Sequence, residues 1–517
     1  MKMREFNTFG PVNPHYHYHV NRVAVKAALR EKVEKGRYMT LNAARQTGKT
    51  TLFRELIDEL EATGDYFGIL LDFEQLADFT KDDFYEQLGN HLTRWQNHYY
   101  PNAPEPGTMR HQGHFVDWLR ATVLALGKRG VLIIDEFGAI SVELVKALLS
   151  QFRAMYLERY TYPDVIHSIL LVGVRNIPAL LAGTQSPFNV ADHFTIPYFT
   201  TAEIADLLQQ HTAETGQAFA LASIAAIDRE TEGQPFLVNR LGQLLTREIV
   251  TDRQQPITLA QVEYALVKLI NENNTHFYSI RSKAALHRSE LITALFNPTR
   301  YYDFQDEVTQ ELLMYGVLRV VTDEQGLDYA RIANPIYRKM LVKAFAPSHT
   351  LIRQALNGSL QNRFVVDGAL HFDALLDAFK AFMEEQGVRL LKSEISQRPL
   401  EISGQYLLLS YLTAALQSVG GYVTIESLSS AGEMDILAIY RNQRFIVETK
   451  VWYGQARFDQ GKAQLVDYLQ ATGLPKGWLV VFDEKLAENP LLSTGPAIFE
   501  TTEADKTLRI YLVGIAI

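Results

Sequence analysis

Three short runs hold the residues best able to do chemistry. The first is Ala43-Ala44-Arg45-Gln46-Thr47-Gly48-Lys49-Thr50-Thr51, which follows an apolar stretch and opens a helical one. Backbone N–H groups of such a loop, with a helix N-terminus behind them, suit a bound phosphate. Lys49 would neutralise phosphate charge, and the Thr50 hydroxyl would hold Mg²⁺. Ala44, Arg45, Gln46, Thr47, Gly48 and Thr51 complete the expected binding set. Ala43 stands where glycine usually opens the pattern; a positive φ there would cost about 1 kcal/mol. The second run, Val131-Leu132-Ile133-Ile134-Asp135-Glu136, reads as a buried strand ending in two carboxylates. Asp135 would bind Mg²⁺ directly or through water, and Glu136 would polarise an attacking water. A further strand, Ser168 to Val174, leads into Arg175-Asn176; Arg175 and Arg240 are both candidates to touch phosphate.

The third run extends from Gly432-Glu433-Met434-Asp435 to Glu448-Thr449-Lys450 and reads as a β-hairpin turning at Arg441-Asn442-Gln443. Residues two apart on a strand share a face, so Glu448 and Lys450 do, and the hairpin could bring Asp435 beside them. Asp435 and Glu448 would hold one or two Mg²⁺ ions, which polarise a phosphodiester and activate water. Lys450 would orient that water or stabilise developing charge. The Thr449 carbonyl could complete the metal shell. Downstream, Gln464 and Tyr468 lie four apart on one helix face. Glu401 and Glu426 are candidate accessory acids. His15, His17 and His19 alternate like metal ligands, but their place before the first strand favours a structural or adenine-side lead-in, and no metal is assigned there.

These runs need elements to position them. Tyr38 to Asn42, Tyr66 to Phe73, Gly130 to Asp135 and Ser168 to Val174 read as strands, and Lys49 to Thr63 as a helix with Leu52, Leu56, Ile57 and Leu60 on one face. Alternating strands and helices imply an α/β architecture with a parallel sheet. Residues 200 to 250 read as helices, punctuated by Gly233-Gln234-Pro235. Leu318 to Val321 and Tyr329 to Ile332 flank a turn at Asp323-Glu324-Gln325-Gly326, a ribbon following helices. Ala346-Pro347-Ser348 marks a boundary, and a helical connector follows, including Phe372 to Glu385. From about Arg398 the order is helix, strand, hairpin, helix, strand.

Composition narrows the class. A chain of 517 residues is too long for one core and should form two to four domains. Without cysteine, disulfides and cysteine-ligated zinc are excluded, which fits a reducing cytoplasm. The net charge of −9 argues against a broadly basic surface, though a local groove could still bind nucleic acid. No apolar run approaches the roughly 18 residues of a membrane span, and the N-terminus shows no secretion signal.

The phosphate loop, the Asp135-Glu136 strand, Phe199-Thr200-Thr201-Ala202-Glu203-Ile204 and Gly233-Gln234-Pro235-Phe236-Leu237-Val238-Asn239 resemble AAA-like and STAND-like P-loop ATPases. Ser186-Pro187-Phe188-Asn189 adds to the likeness of their lid, and Ile332-Ala333-Asn334-Pro335-Ile336-Tyr337 is similar to the winged helix that follows it. Met434-Asp435, Glu448-Thr449-Lys450, Gln464 and Tyr468 resemble the PD-(D/E)XK nuclease superfamily, the last two its resolvase-like branch; Met434 stands for the usual proline. The resemblance implies a P-loop core over 1–199, a helical lid over 200–257, a winged-helix-like domain over 258–345, a connector over 346–397 and a restriction-endonuclease-like α/β domain over 398–517. It implies ATP and Mg²⁺ as cofactors, cytoplasmic location, and ATP-dependent or ATP-regulated cleavage of DNA in preference to RNA, with genome defence as a setting. No membrane partner is expected, and a homo-oligomer is compatible. The alternative is a nucleotide-switched scaffold whose nuclease-like domain binds nucleic acid or a partner without cutting.

Overall fold

A computed structural model describes residues 3–42, 46–77, 79–173, 191–288, 290–291, 306–345, 364–387, 400–426 and 435–515. The chain divides into two compact units. One comprises Met1–Lys283, Asp303–Val320 and Ala333–Ile336, the other Ala284–Tyr302, Val321–Ile332 and Tyr337–Ile517. The expected boundary at Ala346-Pro347-Ser348 lies outside the described residues.

The first unit is built on β1 (Tyr38–Asn42), β2 (Tyr66–Asp72), β3 (Arg129–Asp135), β4 (Ser168–Val172) and β5 (Asp192–Thr195). They form one parallel sheet in the order β2-β3-β4-β1-β5. Parallel strands are covered on both faces and therefore read as continuous apolar runs. β3 shows this, with every residue from Gly130 to Asp135 buried. Alternate side chains feed two cores. Ile69, Leu132, Ile134 and Leu171 pack with Phe84, Phe115 and Leu148 from three helices on one side. Met39, Val131, Ile133 and Leu170 pack with Leu29, Leu52 and Leu56 on the other. The helix expected from Lys49 runs Lys49–Glu61, and β4 ends at Val172 before Gly173, whose φ is +69°. β5 was not anticipated. Its Asp-His-Phe-Thr sequence alternates half-buried and exposed positions, a short edge strand without an apolar signature.

Three helices follow: Thr201–Thr215, Leu221–Thr231 and Pro235–Leu244. Thr200 and Glu203 form a reciprocal capping box that starts the first. Gln234 caps the third through Leu237 N–H, with Pro235 in its first turn. Between them Gly233 adopts φ +79°, and a Cβ there would stand 1.9 Å from the Phe199 carbonyl oxygen. The Gly233 carbonyl in turn accepts the Phe199 N–H at 2.8 Å. Only glycine allows this approach of two backbones.

The expected ribbon is present as β6 (Leu318–Thr322) and β7 (Asp328–Ile332), its turn closed by Asp323 N–H donating to the Leu327 carbonyl. β8 (Val365–Val366) and β9 (Ala369–Leu370) make a short hairpin before the helix Phe372–Phe382, which continues as a π-turn to Gly387. The second unit's main sheet has six strands: β10 (Tyr422–Glu426), β11 (Asp435–Tyr440), β12 (Gln443–Val451), β13 (Lys476–Asp483), β14 (Ile498–Glu503) and β15 (Lys506–Gly514). Their order is β10-β11-β12-β13-β15-β14. β10, β11 and β12 are antiparallel, β12, β13 and β15 are parallel, and β14 closes an antiparallel edge. The helix, strand, hairpin, helix, strand order is present; β14 and β15 extend it.

Gly233→Ala should lower the unfolding free energy by about 3 kcal/mol, because a side chain at positive φ and a backbone clash add. Denaturant unfolding of the variant checks this; an unchanged midpoint would mean that Phe199 yields freely.

Candidate functional site

The sheet of the first unit brings the two N-terminal runs together at the carboxyl ends of its strands. β1 leads into the phosphate-loop sequence, of which Ala43, Ala44 and Arg45 lie outside the described residues. Gln46 has φ +58° and Gly48 φ +81°, and Gly48 caps the helix Lys49–Glu61. Thr47 is buried and Lys49 is 9% exposed. The Lys49 ammonium lies 3.0 Å from Glu136 Oε1 and 3.6 Å from Asp135 Oδ1. Asp135, the last residue of β3, accepts the Glu136 N–H. Glu136 itself is left-handed at φ +50° and lies against Gly173, where a Cβ would meet its Oε2 at 3.1 Å and its Cα at 3.2 Å. Gly173 thus supplies the room in which Glu136 turns toward Lys49.

Burial raises the Asp135 carboxyl above its ordinary range, against the pull of the Lys49 ammonium; the Glu136 and Asp72 carboxylates add to the rise. Asp72 ends β2 in register with Asp135. Nothing in the sequence paired those two acids; strand register does. Hard oxygen donors beside a buried lysine at a helix N-terminus fit a magnesium-bound triphosphate.

Other expectations fall out differently. Thr51 lies in the binding helix, but its hydroxyl accepts the Val12 N–H at 3.0 Å and ties down the N-terminal lead-in. Gln234, fully buried, brings its Nε2 to 3.5 Å from the Gln46 carbonyl, so the helix after Gly233 touches the loop. Arg240, a candidate to touch phosphate, pairs with Glu272 at 2.6 Å and Glu248 at 3.1 Å. Acids within its own helical layer therefore hold the charge that was a candidate for phosphate. Arg175, Asn176 and Ser186 to Asn189 lie outside the described residues. The alternating histidines part ways: His17 Nδ1 accepts the Asn13 N–H, and His19 Nε2 meets Glu55 at 2.6 Å beside Lys26. Among the described residues no three histidines or acids gather into a cluster that could by itself hold a metal ion. The lead-in instead lines a small cavity together with Thr47, Gly48, Thr51, Phe199, Leu207 and Asn239. A polar, irregular stretch gave no periodic signal for it.

In the second unit, Tyr440 pairs with Gln443 across the Arg441-Asn442 turn, and Ile436 pairs with Val447. One step further along this register sets position 435 directly opposite Glu448. Glu426 pairs with Asp435 on the other side, so positions 426, 435 and 448 form one row across three strands. The side chains of Glu401, Glu426 and Asp435 lie outside the description. Glu448 and Lys450 are each 1% exposed, and their carboxylate and ammonium meet at 2.8 Å. Thr449 points to the opposite face, where its hydroxyl accepts from Gln405 Nε2. The helix Gln455–Thr472 covers the Glu448 face: a Cβ on Gly461 would stand 2.8 Å from Lys450 Cγ. Gln464 follows one turn later, half-buried, and Tyr468 is buried. Gly461, missed in the sequence, is what lets that helix approach.

A family model described as an AAA domain matches residues 33–181. That segment is an AAA-type P-loop domain. Among solved structures, the chain is similar to a Walker-type ATPase of Pyrococcus abyssi at 16% identity and a TM-score of 0.47, covering 65% of this chain and 99% of that one. It is similar to the ORC1 protein of Aeropyrum pernix, solved in complex with DNA, at 13% identity and a TM-score of 0.34, covering 65% and 94%. The Thermotoga maritima Holliday junction branch migration motor RuvB matches at 16% identity and a TM-score of 0.32, covering 60% and 92%. No curated protein matches the chain. No described helix is long and apolar enough to cross a membrane.

The raised Asp135 carboxyl sets a pH dependence for the nucleotide-free protein. The folded chain holds that proton more tightly than the unfolded chain, so its ionisation works against folding as pH rises from the ordinary carboxylate range through the folded value. Asp135→Asn should remove this loss. The variant's stability relative to the parent should grow as pH rises out of the ordinary carboxylate range, read from thermal melts; a constant difference would show that Lys49 fully compensates the charge.

Proposed function

We propose that the chain is an ATP-dependent or ATP-regulated, Mg²⁺-dependent nuclease acting on DNA rather than RNA, hydrolysing ATP in its first unit and phosphodiesters in its second. The observation that carries the ATPase half is the buried Lys49 ammonium between Asp135 and Glu136, at the end of a parallel sheet in an AAA-type P-loop domain. In this reading Lys49 exchanges Glu136 for phosphate charge on the nucleotide. Glu136, released and held in place by its left-handed backbone, orients a water and takes its proton. Mg²⁺ would be held by Thr50 and Asp135 here, and by Asp435 and Glu448 in the second unit, where it would neutralise phosphate charge and activate water. Backbone groups from Ala44 to Thr51 hold the phosphates.

The nuclease half rests on the row of positions 426, 435 and 448 with Lys450 beside it. Lys450 would position the attacking water or stabilise the developing charge, with Gln464 alongside from the covering helix. The five-domain division, with a winged helix over 258–345 and a nuclease-like domain over 398–517, belongs to this proposal, as do a homo-oligomeric assembly, a cytoplasmic location and a role in genome defence. A specific observation also favours the non-cutting scaffold. Glu448 and Lys450 are already paired with each other and closed from solvent, so cleavage requires the pair to open.

Lys49→Ala should abolish ATP turnover with the fold intact, and Glu136→Gln should still bind ATP but hydrolyse it at least about 100-fold more slowly. Steady-state hydrolysis and nucleotide binding check both; failure of Glu136→Gln to bind nucleotide would assign Glu136 a structural role. Incubation of full-length protein with plasmid and Mg²⁺, with and without ATP, tests the second half. Asp435→Ala should stop cleavage and leave ATP hydrolysis intact. Absence of cleavage by the parent in every condition, with DNA still bound, would leave the scaffold reading standing.

A further inference from the structure

At the amino ends of the first unit's strands, opposite the nucleotide site, two exposed tyrosines each have an arginine over the ring. The helix Val142–Glu158 stops at Arg159, and a turn carries the chain toward β4. The Glu158 carbonyl accepts the N–H groups of Thr161 and Tyr162 at 2.8 and 3.0 Å, which fixes that turn. Tyr160 is 87% exposed and Tyr162 51%. The Arg159 guanidinium lies 4.3 Å from the Tyr160 ring centre, and that of Arg120 lies 5.9 Å from the Tyr162 ring centre. Arg159 is held in place, because it also lies 3.5 Å from the centre of the Tyr156 ring, and Tyr156 is buried against Tyr38. Arg37, just before β1, hydrogen-bonds the Tyr156 side chain. Its carbonyl accepts the Ser168 hydroxyl at 2.6 Å, so the starts of β1 and β4 are tied together beside these rings.

The charge pattern restricts what can cover this face. Arg159 donates to the Tyr156 carbonyl and the Tyr160 hydroxyl, and Arg37 to the Tyr156 hydroxyl, all neutral oxygens. The acids nearby are held by other cations: Glu158 and Asp164 by Arg120, Asp192 by Lys32. Two guanidinium groups therefore bring uncompensated charge to a surface of exposed rings, on a chain whose net charge is −9. An apolar partner would strip water from both without supplying an anion. A basic partner is repelled by them, and a ring that already faces a cation on one side offers a second cation little. A flat ring joined to an anion satisfies both features, the ring stacking on tyrosine and the anion meeting arginine. Unpaired bases on a phosphodiester backbone have this chemistry. In a duplex the base faces are stacked on one another and closed to protein side chains.

We propose that Tyr160 and Tyr162, with Arg159 and Arg37 beside them, form a docking surface for a single nucleic-acid strand: the tyrosine rings stack with unpaired bases, and the guanidinium groups hold the flanking phosphates. The surface is separate from the phosphate site, which lies at the other end of the sheet, roughly 16 Å away along the five residues of β1. It goes beyond the cleavage reading above, since it gives the first unit its own contact with a strand whichever way the second unit acts.

The test is equilibrium binding of the full chain to a short fluorescent oligothymidylate, without Mg²⁺ so that nothing is cut. Its duplex with oligoadenylate and an abasic deoxyribose-phosphate oligomer of the same length run beside it. The parent should bind the single strand at least about tenfold more tightly than either. Tyr160→Ala combined with Tyr162→Ala should weaken the single strand about tenfold and leave the abasic oligomer unchanged. Tyr160→Phe combined with Tyr162→Phe, which keeps the rings, should retain the preference. Arg37→Gln should weaken strand and abasic oligomer alike and flatten the salt dependence. An oligothymidylate carrying 5-iodouracil, irradiated on the parent, should crosslink to Tyr160 or Tyr162, read by mass spectrometry; this separates the surface from any strand held in the second unit. Unchanged single-strand affinity in the alanine variant, an equal loss of all three ligands, or crosslinks solely elsewhere would overturn the proposal. So would a changed solution mass of the alanine variant with strand binding intact, which would make the face a contact between copies of the chain. Cleavage is not measured, so failure of the nuclease reading leaves the result standing.

Discussion

An ammonium group nine-tenths buried at the end of the first sheet is the constraint around which that unit is arranged. Lys49 has left water, and a bare charge there would cost several kcal/mol. Asp135 and Glu136 answer it from the end of β3, which β4 separates from β1, at 3.6 and 3.0 Å. For both acids to arrive, β3 must end at Asp135, the chain must turn left-handed at Glu136, and β4 must offer a glycine at 173. The mutual neutralisation leaves one positive charge facing two negative ones. A bound anion and a divalent cation together would relieve that imbalance, which is the electrostatic case for the proposed cofactor pair.

The same site reaches outward through backbone contacts. Gly233 lies against Phe199, and Gln234 beside it touches the Gln46 carbonyl while capping the helix that bears Asn239 and Arg240. Thr51 holds Val12 and thereby the N-terminal lead-in. Any shift of the loop is thus felt by the lead-in and by the helices after β5 alike. Arg240 shows how such a layer keeps its own accounts: with Glu272 and Glu248 within reach, its guanidinium stays with them. This arrangement gives the proposed ATP control a physical starting point, since a ligand shifts a conformational equilibrium only as far as it binds the two arrangements differently.

In the second unit the corresponding pair is Glu448 with Lys450, closer to full burial than the first. Here the carboxylate and ammonium sit on one strand and form an ion pair at 2.8 Å, while Gln405 fixes Thr449 from behind and Gly461 brings a helix down over Lys450. The two pairs differ in one respect that bears on function. Lys49, at a helix N-terminus, is shared between two acids from the end of β3 and is 9% exposed, whereas Lys450 is 1% exposed.

Much of this was legible from the chain alone, because local patterns carry it. Strands β1 to β4 are continuous apolar runs bounded by polar turns, and parallel strands covered on both faces must read that way. The phosphate-loop sequence, the paired acids and the Glu-Thr-Lys strand announce themselves by residue type and spacing. Strand β5 did not, because a short edge strand needs no apolar face. What the tertiary structure alone decided are the encounters between distant segments: Asp72 beside Asp135, Gln234 against the Gln46 carbonyl, Gly461 against Lys450, and Arg240 with Glu272. The reason is that residue type states which charges and hydrogen-bonding groups need a partner, but strand register and helix packing, set by burial of the whole apolar surface, choose which partner each one meets.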